Sequence, residues 1–191
     1  MINLRGANGS GKSHLVRQWM QRQGAVPYPR RANLLGGTTL SSRPVYYRLG
    51  DGGVVLGPYH TSCGGCDNFE TVSDVQKALQ AALHQNPRYV LFEGVIISTV
   101  FETWRVFSQG IGGMHWLFLN TPVEICIARI RERNHGRYFD QQLVRDKIRG
   151  VDCTRVRALK AGESVLTLDW EHALPQFTRF MDRLFNPPTG R

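Results

Sequence analysis

No stretch of this 191-residue chain approaches the ~20 consecutive apolar residues that a membrane-spanning helix requires. The first residues lead straight into a strand-and-turn pattern, so no signal peptide is expected, and the expected compartment is the cytoplasm. Cysteine is scarce: Cys63, Cys66, Cys126 and Cys153 are the only four, and in a cytoplasmic chain they are not expected to form disulfides. Cys63-Gly64-Gly65-Cys66 has the spacing of a metal-ligand or redox pair, but a second pair of matching spacing is missing. A tight Gly-Gly turn with its thiols packed inward is the preferred reading of the three. Acidic residues are also in short supply, 15 against 24 Lys and Arg, for a formal charge of +9. Such a deficit exceeds what a single anion site needs and points to a polyanionic partner. Internal repeats are absent, which excludes a solenoid.

What is present is a globular composition, 41% hydrophobic and 20% charged, of a length that suits one domain over residues 1–191. Its most informative stretch is Gly6-Ala7-Asn8-Gly9-Ser10-Gly11-Lys12-Ser13, which fits G-x-x-x-x-G-K-S/T at every fixed position. Gly6, Gly9 and Gly11 let the backbone turn its N–H groups inward around an anion. Lys12 adds an ammonium that reaches β- and γ-phosphates, and the Ser13 hydroxyl is a hard oxygen suited to Mg²⁺. The flanks agree: residues 1–5 alternate as a strand, and Leu15, Val16, Trp19 and Met20 recur at helical spacing. Gly6, Asn8, Gly9, Ser10, Gly11, Lys12 and Ser13 are therefore the expected phosphate-binding residues.

Residues 24–44 are rich in Gly, Pro, Arg and Ser and read as a long loop, with Arg30, Arg31, Arg43 and Tyr28 available to a substrate. Two β-rich runs around Gly50-Asp51-Gly52-Gly53 predict a hairpin. The glycine-rich segment 57–67, GPYHTSCGGCD, is too polar to be expected in the core. A helix over Val72 to Leu83 stops at Asn86-Pro87. Tyr89 to Phe92 is an apolar run ending in Glu93, and ligands gather at the carboxyl ends of parallel strands. Glu93 is thus expected to act in chemistry.

A helix from Ser98 to Phe107 and a strand over 115–119 follow, and Asn120-Thr121-Pro122 is expected to open the next helix with Thr121 as its cap and Pro122 in its first turn. Arg129 and Arg133 share a face of that helix, with Arg137 one turn on. From Tyr138 to Lys160 the chain is basic and polar, either a solvated helix face or a polyanion contact. A strand over 165–168 and a helix over 173–185 close the pattern. The alternation predicts an α/β fold of three layers, a P-loop NTPase architecture with a mainly parallel sheet.

In this order, GANGSGKS at 6–13, FEG at 92–94, LNTP at 119–122 and the arginines at 129–137 resemble the small P-loop kinases, relatives of nucleoside and nucleotide kinases. The segment 57–67, together with LFEG and LNTPVEICIARIRERN, is similar to the bacteriophage kinases that phosphorylate 5-hydroxymethyluracil within DNA. The resemblance implies ATP on the loop, an arginine-bearing lid over about 129–150, and Arg129, Arg133 and Arg137 closing over the moving phosphoryl group. It implies double-stranded DNA carrying 5-hydroxymethyluracil as acceptor, in the cytoplasm of an infected bacterium. Lys12 is the expected catalytic cation, Ser13 and Glu93 the expected Mg²⁺ partners, and Asp67 or Glu93 the expected base. For stacking an extruded base, Tyr28, Tyr46, Tyr47, Tyr59 and Trp104 are candidates, each equally readable as core. The alternatives are a kinase of a free nucleoside, nucleotide or small alcohol, and a slow nucleotide-hydrolysing switch. The lack of an N-K-x-D guanine motif counts against the switch.

Overall fold

The alternating apolar positions of the central strands dictate how the layers form. In the computed structural model, which describes residues 1–28, 46–60 and 64–186, Trp116 and Phe118 of one strand face one side and Leu117 and Leu119 the other, all buried. That strand, β6 (His115–Asn120), pairs in parallel with β1 (Ile2–Arg5) and β7 (Ser164–Asp169). On the other side of β1 lie β5 (Val90–Glu93) and then β4 (Val54–Leu56), again in parallel. The hairpin partner β3 (Tyr46–Arg48) and the edge strand β2 (Val26–Tyr28) run antiparallel, giving the order β2-β3-β4-β5-β1-β6-β7.

Helices α1 (Lys12–Arg22) and α7 (Ala173–Phe185) cover one face, burying Leu15, Trp19, Phe177 and Met181 against β1, β5 and β6. Helices α2 (Val72–Leu83), α3 (Val95–Ser98), α4 (Glu102–Gln109) and α6 (Gln141–Lys160) cover the other, with Leu79, Ile97, Trp104, Val151 and Ala158 inward. Helix α5 (Val123–Arg133) packs on α6 through Cys126, Ile127, Ile130 and Val144. This is the expected three-layer α/β fold. No helix among the described residues is long and apolar enough to cross a membrane.

Four sequence expectations change. Residues 26–28, read as loop, form β2, whose Pro27 is tolerated because the strand lies at the sheet edge. The rest of that loop, with Arg30, Arg31 and Arg43, lies outside the described residues. The helix expected from Ser98 to Phe107 starts only at Glu102, as α4, after the separate short α3, because the buried Arg5 guanidinium donates to the Ser98 and Val100 carbonyls at 3.4 and 2.8 Å. Phe101 is then free to enter the core against Trp116, ring centroids 5.2 Å apart. Thr121 does not cap α5: its hydroxyl donates to the Ser10 carbonyl at 2.8 Å, and Pro122 takes the capping position.

The fourth change concerns the segment 57–67, which was not expected in the core. Gly65 sits at φ +75°, and a Cβ there would lie 2.5 Å from both the Glu93 carbonyl and its Oε1, so only glycine lets this turn close over the end of β5. Tyr59 and Cys66 are consequently buried, and burial pushes the Cys66 thiol well above its ordinary pKa. A buried, protonated thiol suits the inward-packed reading. Cys63 lies outside the described residues.

Candidate functional site

The loop of residues 6–13 leaves β1 and enters α1, whose first amides have no helical partner and point back into the turn. Gly9, at φ +77°, lets the loop pass over α5: a Cβ there would lie 2.4 Å from the Cys126 carbonyl. Lys12 is buried, and its Nζ donates to the Gly6 and Ala7 carbonyls at 2.9 and 3.1 Å. The ammonium is therefore held across the mouth of the loop, where an incoming phosphate oxygen would compete with two carbonyls. Gly6 N in turn donates to Ser98 Oγ at 3.2 Å, and Ser98 Oγ to the Gly94 carbonyl at 2.5 Å, tying the loop to the turn after β5.

That strand end delivers Glu93. Its side chain is fully buried, Oε1 accepting from Ser13 Oγ at 2.6 Å and from Tyr59 OH at 3.4 Å, while Oε2 has no hydrogen-bond partner. Burial raises the Glu93 pKa, opposed by the Lys12 charge and the Ser13 hydrogen bond. An orphaned carboxylate oxygen beside a hydroxyl is an unusual thing to bury, since such a group costs free energy unless something is meant to occupy the space.

A hollow of about 530 Å³ opens over the loop, bounded by Asn8 to Ser13, His14, Arg17, Asp67, Arg129 and Arg133. Asp67 comes from the short 3-10 helix Gly65–Asn68, where Oδ1 accepts from Ile96 N at 3.2 Å. Asp67 is exposed to the hollow, whereas Glu93 is sealed beneath it. Arg129 donates to the Ser10 carbonyl at 3.2 Å and lies 5.0 Å from the Trp170 ring centroid. Beside them a second hollow, about 620 Å³, runs from Ser10 and Gly11 past Gln18 and Trp170 to Leu174.

The structure thus gathers Gly9 to Ser13, Asp67, Arg129 and Arg133 around one space, with Glu93 linked to it through Ser13. Arg137 instead borders a separate hollow with Arg131 and Tyr138. Of the stacking candidates, Tyr46, Tyr47, Tyr59 and Trp104 are buried and Tyr28 is stacked on Tyr46 at 4.7 Å, so they belong to the core and sheet edge. Sequence reasoning missed Arg17, His14 and Trp170, and read Tyr59 as a stacking or core residue and not as the donor to Glu93 that it is. Arg17 had a signal: four residues beyond Ser13, it shares that helix face. Among the described residues no three His, Cys, Asp or Glu side chains form a metal cage.

The residues present nonetheless suit Mg²⁺, which binds through one or two carboxylates, a hydroxyl and substrate phosphates rather than through a cage. Ser13 Oγ, with the unpartnered Glu93 Oε2 behind it, is such a donor set.

A solved gluconokinase from Sinorhizobium meliloti 1021 is similar in fold, with a TM-score of 0.50 at 14% identity over 98% of this chain and 96% of that one. In sequence, the chain is 36% identical over 190 residues to the 5-hmdU DNA kinase of Pseudomonas phage M6, covering 96% of this chain and 98% of the relative. It is 31% identical over 156 residues to the 5-hmdU DNA kinase of Pseudomonas phage PaMx11, covering 77% and 76% respectively. The family model described as 5-hmdU DNA kinase matches residues 1–166, from the first strand into the last and through every side chain that borders the phosphate loop's hollow. A match of that extent settles the lineage: this chain is a P-loop kinase and belongs to the 5-hmdU DNA kinase family.

Proposed function

We propose that this kinase transfers the γ-phosphoryl group of ATP to the hydroxymethyl oxygen of 5-hydroxymethyluracil within DNA, in the cytoplasm of a phage-infected cell. The observation that carries the reading is the pairing of a sealed carboxylate, Glu93, bonded to Ser13, with an open one, Asp67, that borders the hollow over the phosphate loop. Nucleotide alone needs no open carboxylate; an alcohol acceptor does, because its oxygen must lose a proton as it attacks.

In this reading Lys12 and the loop amides hold the β- and γ-phosphates, and the hollow beside Trp170 takes the nucleoside. Ser13 and Glu93 would hold Mg²⁺, which when bound neutralises charge on the β- and γ-oxygens. Arg129 and Arg133 stabilise charge on the moving group, and Arg137 joins them when the α5–α6 lid closes. The acceptor oxygen forms a bond to the γ-phosphorus as the bond from that phosphorus to the β–γ bridging oxygen breaks. ADP leaves and the hydroxyl proton passes to Asp67. Glu93, with no exposed surface, is not placed to meet an acceptor.

The direct test offers labelled ATP to duplex DNA containing 5-hydroxymethyluracil, to unmodified duplex, to the free nucleoside and to water. Label on the modified duplex is expected; label on the nucleoside alone would overturn the DNA acceptor. Asp67→Asn should lower kcat for the duplex about 10²-fold with little change in ATP affinity, the usual range for losing a general base. Unchanged turnover in that variant would move the base elsewhere.

Electrostatics supplies a second check. Arg157 and Lys160 on α6 are exposed and, among the described residues, without an ion pair, whereas Arg149 and Arg155 are paired to Asp146 and Asp152. If α6 contacts the DNA backbone, log K should fall against log salt by ~0.9 per phosphate neutralised. Arg157→Glu should flatten that slope by about 1 in a binding titration while leaving ATP binding intact. A slope identical to wild type would take α6 out of the interface.

A further inference from the structure

The aromatic residues that would suit a DNA base from sequence are committed to the core, yet one tyrosine is displayed. Tyr138, in the connection between α5 and α6, is 94% exposed, the most exposed large apolar side chain of the described residues. Its neighbour Phe139 packs against the small core of Cys126, Ile127, Ile130 and Val144. Anchoring Phe139 inward holds the adjacent Tyr138 at the surface.

The connection is built rather than slack. Gly136 N donates to the Arg131 carbonyl at 2.9 Å and Arg137 N to the Asn134 carbonyl at 3.1 Å, while Asp140 caps α6 by accepting from Gln142 N at 2.8 Å. Tyr138 and Arg137 share a hollow of about 480 Å³ with Arg131. Residues 129–137 hold four arginines, Arg129, Arg131, Arg133 and Arg137, against one acid, Glu132. Two of the four face the phosphate hollow, and Tyr138 stands five residues beyond Arg133, within ~17 Å of it by chain reach. An exposed ring set among arginines, in the connection that follows the helix carrying Arg129 and Arg133, has the chemistry of a stacking platform for nucleic acid bases.

We propose that Tyr138 is the platform on which a base of the DNA acceptor stacks when the hydroxymethylated base is drawn out of the duplex, with Arg131 beside it on a flanking backbone phosphate. The proposal rests on the DNA-acceptor reading above. A hydroxymethyl group within a stacked duplex cannot reach the phosphate loop without local unstacking, and a ring offered in the α5–α6 connection offsets that cost.

The test compares full-length wild type, Tyr138→Ala and Tyr138→Phe on a duplex with one 5-hydroxymethyluracil next to 2-aminopurine, and on free 5-hydroxymethyl-2′-deoxyuridine. Tyr138→Ala should lower kcat/KM for the duplex roughly 5- to 100-fold, the range for losing one base–aromatic stack. It should also abolish the rise in 2-aminopurine fluorescence on binding. Tyr138→Phe should retain both, and transfer to the free nucleoside and ATP hydrolysis without acceptor should be unaffected in either variant. A wild type that labels the duplex alongside a Tyr138→Ala variant that labels it equally well would overturn the platform alone. So would an equal loss on the free nucleoside, or a change of oligomeric state by light scattering, which would make Tyr138 a contact between copies of the chain. Failure of the wild type to label the duplex at all would remove the DNA-acceptor reading, and the platform with it.

Discussion

Lys12→Ala should reduce phosphotransfer by about 10²–10³-fold or more, the scale on which a preorganised charge at the reacting centre acts. The reason lies in where the ammonium waits. It is buried and bonded to the Gly6 and Ala7 carbonyls, so it is already positioned and little reorganisation accompanies its turn toward a γ-phosphate. Its charge matters most as negative charge moves onto the β–γ bridging oxygen, so kcat should suffer more than ATP affinity. Removing those two hydrogen bonds costs about 1–3 kcal/mol of stability, because donors that are charged bind more strongly. A thermal melt should therefore show a folded protein with a modestly lowered Tm. Near wild-type turnover in a folded variant would show that the loop does not hold the reacting phosphate.

The elements that carry this loop were legible because their information is local. β1 alternates, β5 and β6 are short continuous apolar runs suited to a sheet buried on both faces, and α7 repeats Phe177 and Met181 four residues apart, so local pattern places them. Glu93 was legible by position, as the carboxylate closing an apolar strand. What was not legible is fixed by partners distant in sequence. The break between α3 and α4 depends on Arg5, more than ninety residues earlier, reaching the Ser98 and Val100 carbonyls. Thr121 reads as a cap until the Ser10 carbonyl arrives to accept its hydrogen bond. The segment 57–67 is polar by composition, and its Tyr59 and Cys66 become core because Gly57 and Gly65 let two turns touch, a Cβ on Gly57 falling 2.5 Å from the Gly65 carbonyl carbon.

The same distinction applies within the site. The loop, Asp67, Glu93, Arg129 and Arg133 stand out as residue types at meaningful places. Tyr59 and Trp170 do not, because an aromatic gives no sign in sequence of whether its polar atom or its face points at a carboxylate or a guanidinium. Here Tyr59 donates to Glu93 and Trp170 lies against Arg129. Tyr138 was passed over for the opposite reason: it lies in a polar, basic stretch, where only packing of Phe139 beside it decides which ring is displayed.

Glu93→Gln should separate function from stability. Turnover should fall about 10²–10³-fold, since the amide cannot supply the negative oxygen that, in the reading proposed above, would hold Mg²⁺ beside Ser13. The metal-free fold should respond in the other direction. Burial raises the Glu93 pKa above that of an unfolded chain, so the folded state binds this proton more tightly than the unfolded state does. Glu93 accordingly favours folding most below the ordinary carboxylate range, and that contribution is lost as pH rises through its raised folded pKa. Once Glu93 ionises, the wild type carries a sealed carboxylate with one oxygen unpartnered, and the glutamine variant does not. The variant's amide leaves one N–H in the same space, so the pH trend rather than the absolute difference is the readout. In the presence of a chelator, the Tm of Glu93→Gln relative to wild type should be highest at pH 8 and should decline steadily as pH is lowered towards 4. A difference that stays flat across this range would mean that Glu93 ionises in the folded protein as freely as in the unfolded chain, and burial would then have no part in setting its charge.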